Sequence, residues 1–175
     1  MLPKTTVLLV IAILAVAAFP ALAVHMDSQL TGDLGVLDLA TDVTFNGTIW
    51  TYTYQLTFTT AIGSSYVHSF AVDNIGQYLF TNASNTGNFT NPTYDPNAWS
   101  VDWILGTMTQ GETVTFSYQS QHAPDVITVW ATVGDSGTYA SGQTLGMGAE
   151  IPEPGAILAL SGMFAAAAGL WRRRR

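Results

Sequence analysis

Hydrophobic and polar residues alternate most clearly over WTYTYQLTF, residues 50–58. Trp50, Tyr52, Tyr54, Leu56 and Phe58 fall on one side, and Thr51, Thr53, Gln55 and Thr57 on the other. A period of two over nine residues predicts a strand with one buried and one wet face. Asn46-Gly47, between β-type residues just upstream, predicts a tight hairpin turn. Gly63-Ser64-Ser65 predicts another turn, followed by a strand over YVHSFAV and a short one over residues 77–81. The Asn-, Thr- and Pro-rich stretch 82–97 reads as a long surface loop. Strands resume with WSVDWIL, TVTFSYQS and VITVWATV, joined by residues 106–112 and 123–125. Residues 134–148 contain five glycines, and read either as linker or as hiding a last strand over 142–145. No segment of this body has a helical period. The expected fold is therefore an all-β antiparallel β-sandwich of 7–8 strands, about the number such sandwiches use. An outer-membrane barrel is the competing architecture, and its strands need about 9–11 residues with apolar side chains outward. Most segments here read as shorter.

The two ends depart from this pattern. Residues 1–23 carry one positive charge, Lys4, then an apolar run over 7–19, then Ala21-Leu22-Ala23. This is the layout of a secretory signal peptide, with Ala21 and Ala23 at the positions a signal peptidase reads and cleavage expected after Ala23. At the other end, residues 155–171 are uncharged and mostly apolar, and they stop at Arg172, Arg173, Arg174 and Arg175. As a helix this run is about 25 Å long, the short end of a membrane span. Arginines beside a span stay on the cytoplasmic side and Trp171 suits the interface, which gives a transmembrane helix with the body outside. Pro152 and Pro154 resist a helix interior, so Ile151-Pro152-Glu153-Pro154 is expected to be extended and exposed.

Three segments follow: a signal peptide at 1–23, a β-sandwich domain at 24–149 and a tail at 150–175. The body has ten acids and no Lys or Arg, so nucleic acid and anionic lipid are excluded as partners. It has no cysteine, and its cohesion must come from apolar burial and hydrogen bonds.

The tail resembles the PEP-CTERM sorting signal of Gram-negative bacteria, which some collections file as an ice-binding protein C-terminal domain. Pro152, Glu153 and Pro154 match its motif, residues 155–171 its helix and Arg172 to Arg175 its basic end; Ile151 stands where the family often has Val. The resemblance covers residues 150–175 and implies an exosortase as partner. It also implies an inner-membrane-anchored precursor and a final place at the cell surface or outside the cell, often with exopolysaccharide and biofilm. It implies nothing about the body.

Within the body no catalytic motif is present, so the expected protein is not an enzyme but a structural component of surface or matrix. A carbohydrate-binding module of the matrix is the first alternative, and a surface hydrolase the second. Trp99 and Trp103 share a strand face at i and i+4, which suits either a sugar-binding platform or the core. His25, His68 and His122 are too widely spaced for a known metal motif. No cofactor is expected. Asp33, Asp38, Asp42, Asp73 and Asp95 leave calcium as the one metal to consider, without the spaced acidic run of a calcium loop. Asn46, Asn82 and Asn88 begin glycosylation sequons. The threonine stripe at 51, 53, 57 and 59 lies on a single strand, too little for an ice-binding plane.

Overall fold

The computed structural model describes residues 22–135 and 137–148. They form nine strands: β1 (Leu22–Gly32), β2 (Gly35–Phe45), β3 (Trp50–Ala61), β4 (Ser69–Asp73), β5 (Phe80–Asn85), β6 (Ser100–Trp103), β7 (Thr113–Ser120), β8 (Pro124–Asp135) and β9 (Thr138–Met147). All pairings are antiparallel, and all nine strands belong to one sheet in the order β5-β7-β3-β2-β1-β9-β8-β4-β6.

This corrects the sandwich of two separate sheets. Trp103 on β6 and Phe116 on β7 lie seven places apart in strand order, yet their rings are 5.3 Å apart. Phe70 on β4 lies 4.7 Å from Phe116 and 5.7 Å from Tyr54 on β3. The sheet therefore curls until its two flanks face each other, and the alternating apolar faces fill the space between them. The halves are joined by a short ladder between β1 and β9, Thr31 opposite Ser141 and Gly32 opposite Ala140. Glycines make that joint close: a Cβ on Gly32 would lie 2.2 Å from the Tyr139 carbonyl oxygen, and one on Gly142 would lie 2.3 Å from that of Gln29. Without side chains at these points, backbone meets backbone, and what reads as two sheets becomes one.

The strand lengths are a second correction. β1, β2, β3, β8 and β9 have 10 to 12 residues each. β1 begins at Leu22 and pairs with β2 from Leu22 opposite Phe45 to Gly32 opposite Gly35. Leu22 and Ala23 are thus strand residues; Ala21 and the rest of the expected signal peptide lie outside the described residues. β9 covers 138–147, where a shorter strand or a linker was expected. The loop expected over 82–97 gives its first residues to β5, with Asn82 at positive φ in a register shift.

The expected membrane-spanning helix is corrected too. Among the described residues there is no helix, and none long and apolar enough to cross a membrane. Residues 155–171, on which that expectation was placed, lie outside the described residues. The membrane-anchored precursor rested on that helix and is withdrawn with it. The curled sheet is apolar inward and polar outward on β1, β2, β3 and β7, the reverse of the lipid-facing band of a membrane barrel.

The core is aromatic. Trp103, Tyr52, Tyr54, Tyr118, Phe58, Phe70 and Phe116 are fully buried. Their polar atoms are matched across the curl where hydroxyls are concerned: Tyr54 Oη donates to the Leu145 carbonyl (2.8 Å) and lies 3.1 Å from Tyr118 Oη, and Tyr52 Oη donates to the His122 carbonyl (2.7 Å). Thr41 and Thr144, both buried, pair through their hydroxyls at 2.7 Å. Burial pushes the phenols of Tyr52, Tyr54 and Tyr118 well above the ordinary tyrosine value, so they stay neutral and hold the flanks together as hydrogen-bonding groups.

Candidate functional site

Strand register sets out the outer face of β1, β2 and β3 as rows of facing side chains. His25 stands opposite Asp42, which faces Thr53; Asp27 stands opposite Ala40, which faces Gln55; Gln29 stands opposite Asp38, which faces Thr57. Each residue points outward because the alternate positions, Leu37, Leu39, Val43, Tyr52, Tyr54 and Leu56, are buried. The middle row has alanine at its centre. Ala40 is short and its neighbours are long, so an open groove of about 630 Å³ lies over it, lined by Asp27, Gln29, Asp38, Ala40, Gln55 and Thr57.

Two hydrogen-bonded bars flank the middle row. On one side, His25 Nδ1 meets Asp42 Oδ1 at 2.7 Å and His25 Nε2 meets Asp27 Oδ1 at 3.2 Å. On the other, Gln29 Nε2 donates to Asp38 Oδ1 at 2.9 Å, and Thr57 Oγ1 lies 2.9 Å from Thr113 Oγ1 on β7. The bars hold the carboxylates in place without using all their acceptor positions. Gln55 is exposed on the middle row, and its amide offers both donor and acceptor. The groove lining thus presents carboxylate, carboxamide and hydroxyl groups and no Lys or Arg.

The hydrogen bond to Asp42, then that to Asp27, raises the His25 pKa above its ordinary 6.5. A raised folded-state value means that the protonated ring favours the folded strand pair. That contribution is fully present below pH 6.5 and is lost as pH rises through the raised value. Both partners are exposed, so the effect on stability is small and screened by salt. We expect the His25 ring to titrate above pH 6.5 by NMR, and Asp42→Asn to bring the midpoint down. A midpoint at or below 6.5 in the unaltered protein would contradict the bridge.

Other residues marked by the sequence are dispersed. Trp103 is buried at the centre of the curl, stacked on Phe70 at 5.7 Å, whereas Trp99 precedes β6 and is 64% exposed. The two do not form a shared platform. Trp99 is held by its backbone: its carbonyl accepts the Asn74 N–H at 2.7 Å, and the buried Asn74 side chain ties the turn to Tyr78. Ile75 and Leu79, on either side of that turn, are exposed. His68 is half-buried, with its ring edge-on to Tyr66. His122 stacks on Tyr78 at 4.2 Å. Asp33 lies in the β1–β2 turn, Asp73 ends β4, and Asp95 accepts from the Asn97 backbone in a loop turn. Among the described residues no three His, Asp or Glu side chains converge as a metal-ligand set. Pro152, Glu153, Pro154 and Arg172 to Arg175 lie outside the described residues.

Sequence reasoning placed Asp38 in an acidic cluster and Gln55 on a wet face, but missed the groove. Its members come from three strands, and only the pairing of Asp27 with Ala40 and of Ala40 with Gln55 brings them together. The signal in the sequence was a single small residue, Ala40, among polar outward positions.

No family model matches the chain, and no curated protein matches it. Among solved structures, the KRT10-binding region domain of the pneumococcal serine rich repeat protein PsrP is 14% identical, over 71% of this chain and 90% of that one, with a TM-score of 0.32. A likeness at that score carries no argument for fold or role.

Proposed function

We propose that the domain is a non-catalytic carbohydrate-binding module of an exported surface or matrix protein. The observation that carries this reading is the open groove over Ala40, rimmed by Asp27, Gln29, Asp38, Gln55 and Thr57. Sugar hydroxyls both donate and accept, and a rim of carboxylates, amides and hydroxyls serves both needs. Carbohydrate sites are commonly shallow and polar, and water-mediated contacts supplement the direct ones. The exposed Trp99, on a backbone fixed by Asn74, offers a flat apolar face of the kind sugar rings stack on, at a separate place on the surface.

Destination rests on the tail's resemblance to an exosortase-recognised sorting signal and on the N-terminal signal layout. If the exosortase reading holds, the form released at the cell surface lacks Arg172 to Arg175. Intact-mass measurement of that form checks it, and a main product retaining the four arginines overturns it.

Binding itself is tested by calorimetry. The folded full-length chain titrated with its host's exopolysaccharide is expected to give saturable heat, with no release of reducing ends on prolonged incubation. Absence of heat at millimolar sugar overturns the binding reading, and steady release of reducing ends overturns the non-catalytic one.

A further inference from the structure

We infer that the groove binds an internal segment of a neutral, hydroxyl-rich polysaccharide laid across the strands, an inference that rests on the carbohydrate-binding reading. Geometry gives the direction. The two bars, His25 with Asp42 and Gln29 with Asp38, each run across β1 and β2, and they block passage along the strands. Rows on one face of a strand are about 6.7 Å apart, so the bars bound a trough roughly two row spacings wide with Ala40 on its floor. Across the strands, the trough follows the row Asp27, Ala40, Gln55 and continues to Thr115, which pairs with Gln55 on β7. Neighbouring strands are about 4.8 Å apart, comparable to the advance of one sugar along an extended chain, so successive sugars meet successive strands. The trough is open at the surface, which suits a chain passing through rather than a chain end held in a pocket.

Charge gives the class. Asp27 and Asp38 face the trough, and residues 22–148 contain no Lys or Arg to counter the charge of a uronate or sulfate. Acidic polysaccharides are repelled. A basic peptide is the competing occupant, since two carboxylates would attract it. Asp38 accepts from Gln29, and Asp27 and Asp42 share the His25 ring, which fixes the carboxylates without removing their charge, so salt sensitivity separates this occupant from a neutral one. Their carboxylates are part of a hydrogen-bonded frame. Gln55, at the far side of the trough, supplies donor and acceptor together, which hydroxyls use and an ammonium group does not.

The test uses the full-length chain in affinity electrophoresis and calorimetry with four probes: hydroxyethylcellulose, a soluble galactomannan, polygalacturonate and polylysine. We expect at least one neutral polymer to bind, with an affinity unchanged between 50 mM and 500 mM salt, and polygalacturonate not to bind. Asp38→Ala and Gln55→Ala are each expected to weaken neutral-polymer binding about 10-fold, the loss of one or two hydrogen bonds. Trp99→Ala reports separately on the exposed aromatic face outside the groove. Circular dichroism and urea midpoints show whether the variants remain folded; all three replacements are of exposed side chains. Binding of polygalacturonate that Asp38→Ala abolishes would overturn the neutral class. Salt-sensitive binding of polylysine, lost in Asp38→Ala, with no neutral binding, would assign the groove to a cationic ligand. Neutral binding unaffected by both groove variants but lost in Trp99→Ala would overturn the groove and leave carbohydrate binding standing. If none of the probes and no host exopolysaccharide binds, the carbohydrate reading itself falls.

Discussion

Trp103→Ala is expected to lower the stability of the domain by about 3–5 kcal/mol, while Trp99→Ala changes it by less than about 0.5 kcal/mol. The two tryptophans are four residues apart, and an alternation rule places them on one face. The tertiary structure separates them. Trp103 is fully buried and packs on Phe70, Phe116 and Tyr118, drawn from both flanks of the curled sheet. Removing its side chain leaves a cavity where β4 and β6 meet β7, and the stiff strands around it cannot collapse to fill it. Trp99 projects from a loop at 64% exposure and has little burial to lose. Trp103→Phe should cost far less than alanine. The buried Trp103 Nε1–H has no hydrogen-bond partner among the described residues, so the ring fills space without satisfying its own donor. Urea unfolding of the three variants measures this order directly. Equal losses for Trp99→Ala and Trp103→Ala would mean that the core is not organised around Trp103.

Gly32→Val is the second large effect, with an expected loss of at least about 2 kcal/mol. Its Cβ would lie 2.2 Å from the Tyr139 carbonyl oxygen and 2.9 Å from the Ala140 Cα, both backbone atoms that have no rotamer to give way. The strands must separate, and with them the two-residue ladder that turns two flanks into one sheet. Gly134→Ala is the matched control: its nearest neighbour is the Ser69 hydroxyl at 3.2 Å, which can rotate, and it should cost less than about 1 kcal/mol. A local readout accompanies the global one. The Leu34 N–H donates to the Tyr139 carbonyl at 3.3 Å across this joint, and its hydrogen exchange should quicken in Gly32→Val more than that of amides in the β3–β7 ladder. Unchanged Leu34 protection together with an unchanged urea midpoint would show that the β1–β9 joint does not hold the halves.

The strands were legible to the degree that their faces differ. β3 alternates apolar and polar residues over 50–58 and β7 over 113–119, and the structure gives β7 the range that the pattern predicts. β1 was hidden for a different reason. LAVHMDSQLTG places Val24, Met26 and Leu30 inward with only Ser28 interrupting them, but its first residues also fit the end of a secretory signal. It is a strand because β2 pairs with it over eleven residues, with Leu30 buried near the β9 joint. β9 is rich in glycine and small residues, which reads as linker on propensity alone. There the same residues allow close approach to β1 and place Ala140, Thr144 and Leu145 in the core. Tertiary contact overrides propensity at both strands.

By itself the sequence determined that the body is all-β and antiparallel, because a period of two over short segments separated by turns has few other solutions. It also determined that the body is acidic and free of Lys, Arg and Cys, so its cohesion comes from apolar burial and neutral hydrogen bonds. Only the tertiary structure decided that the strands form one curled sheet, since alternation says which face is buried and not which strand lies beside which. It also decided the register, and register makes the groove: Asp27, Ala40 and Gln55 become neighbours through pairings between residues 13 and 15 positions apart. Side chains on separate strands share a site only once hydrogen bonding has fixed their rows, and that energy is spread over the whole ladder rather than written in any local segment.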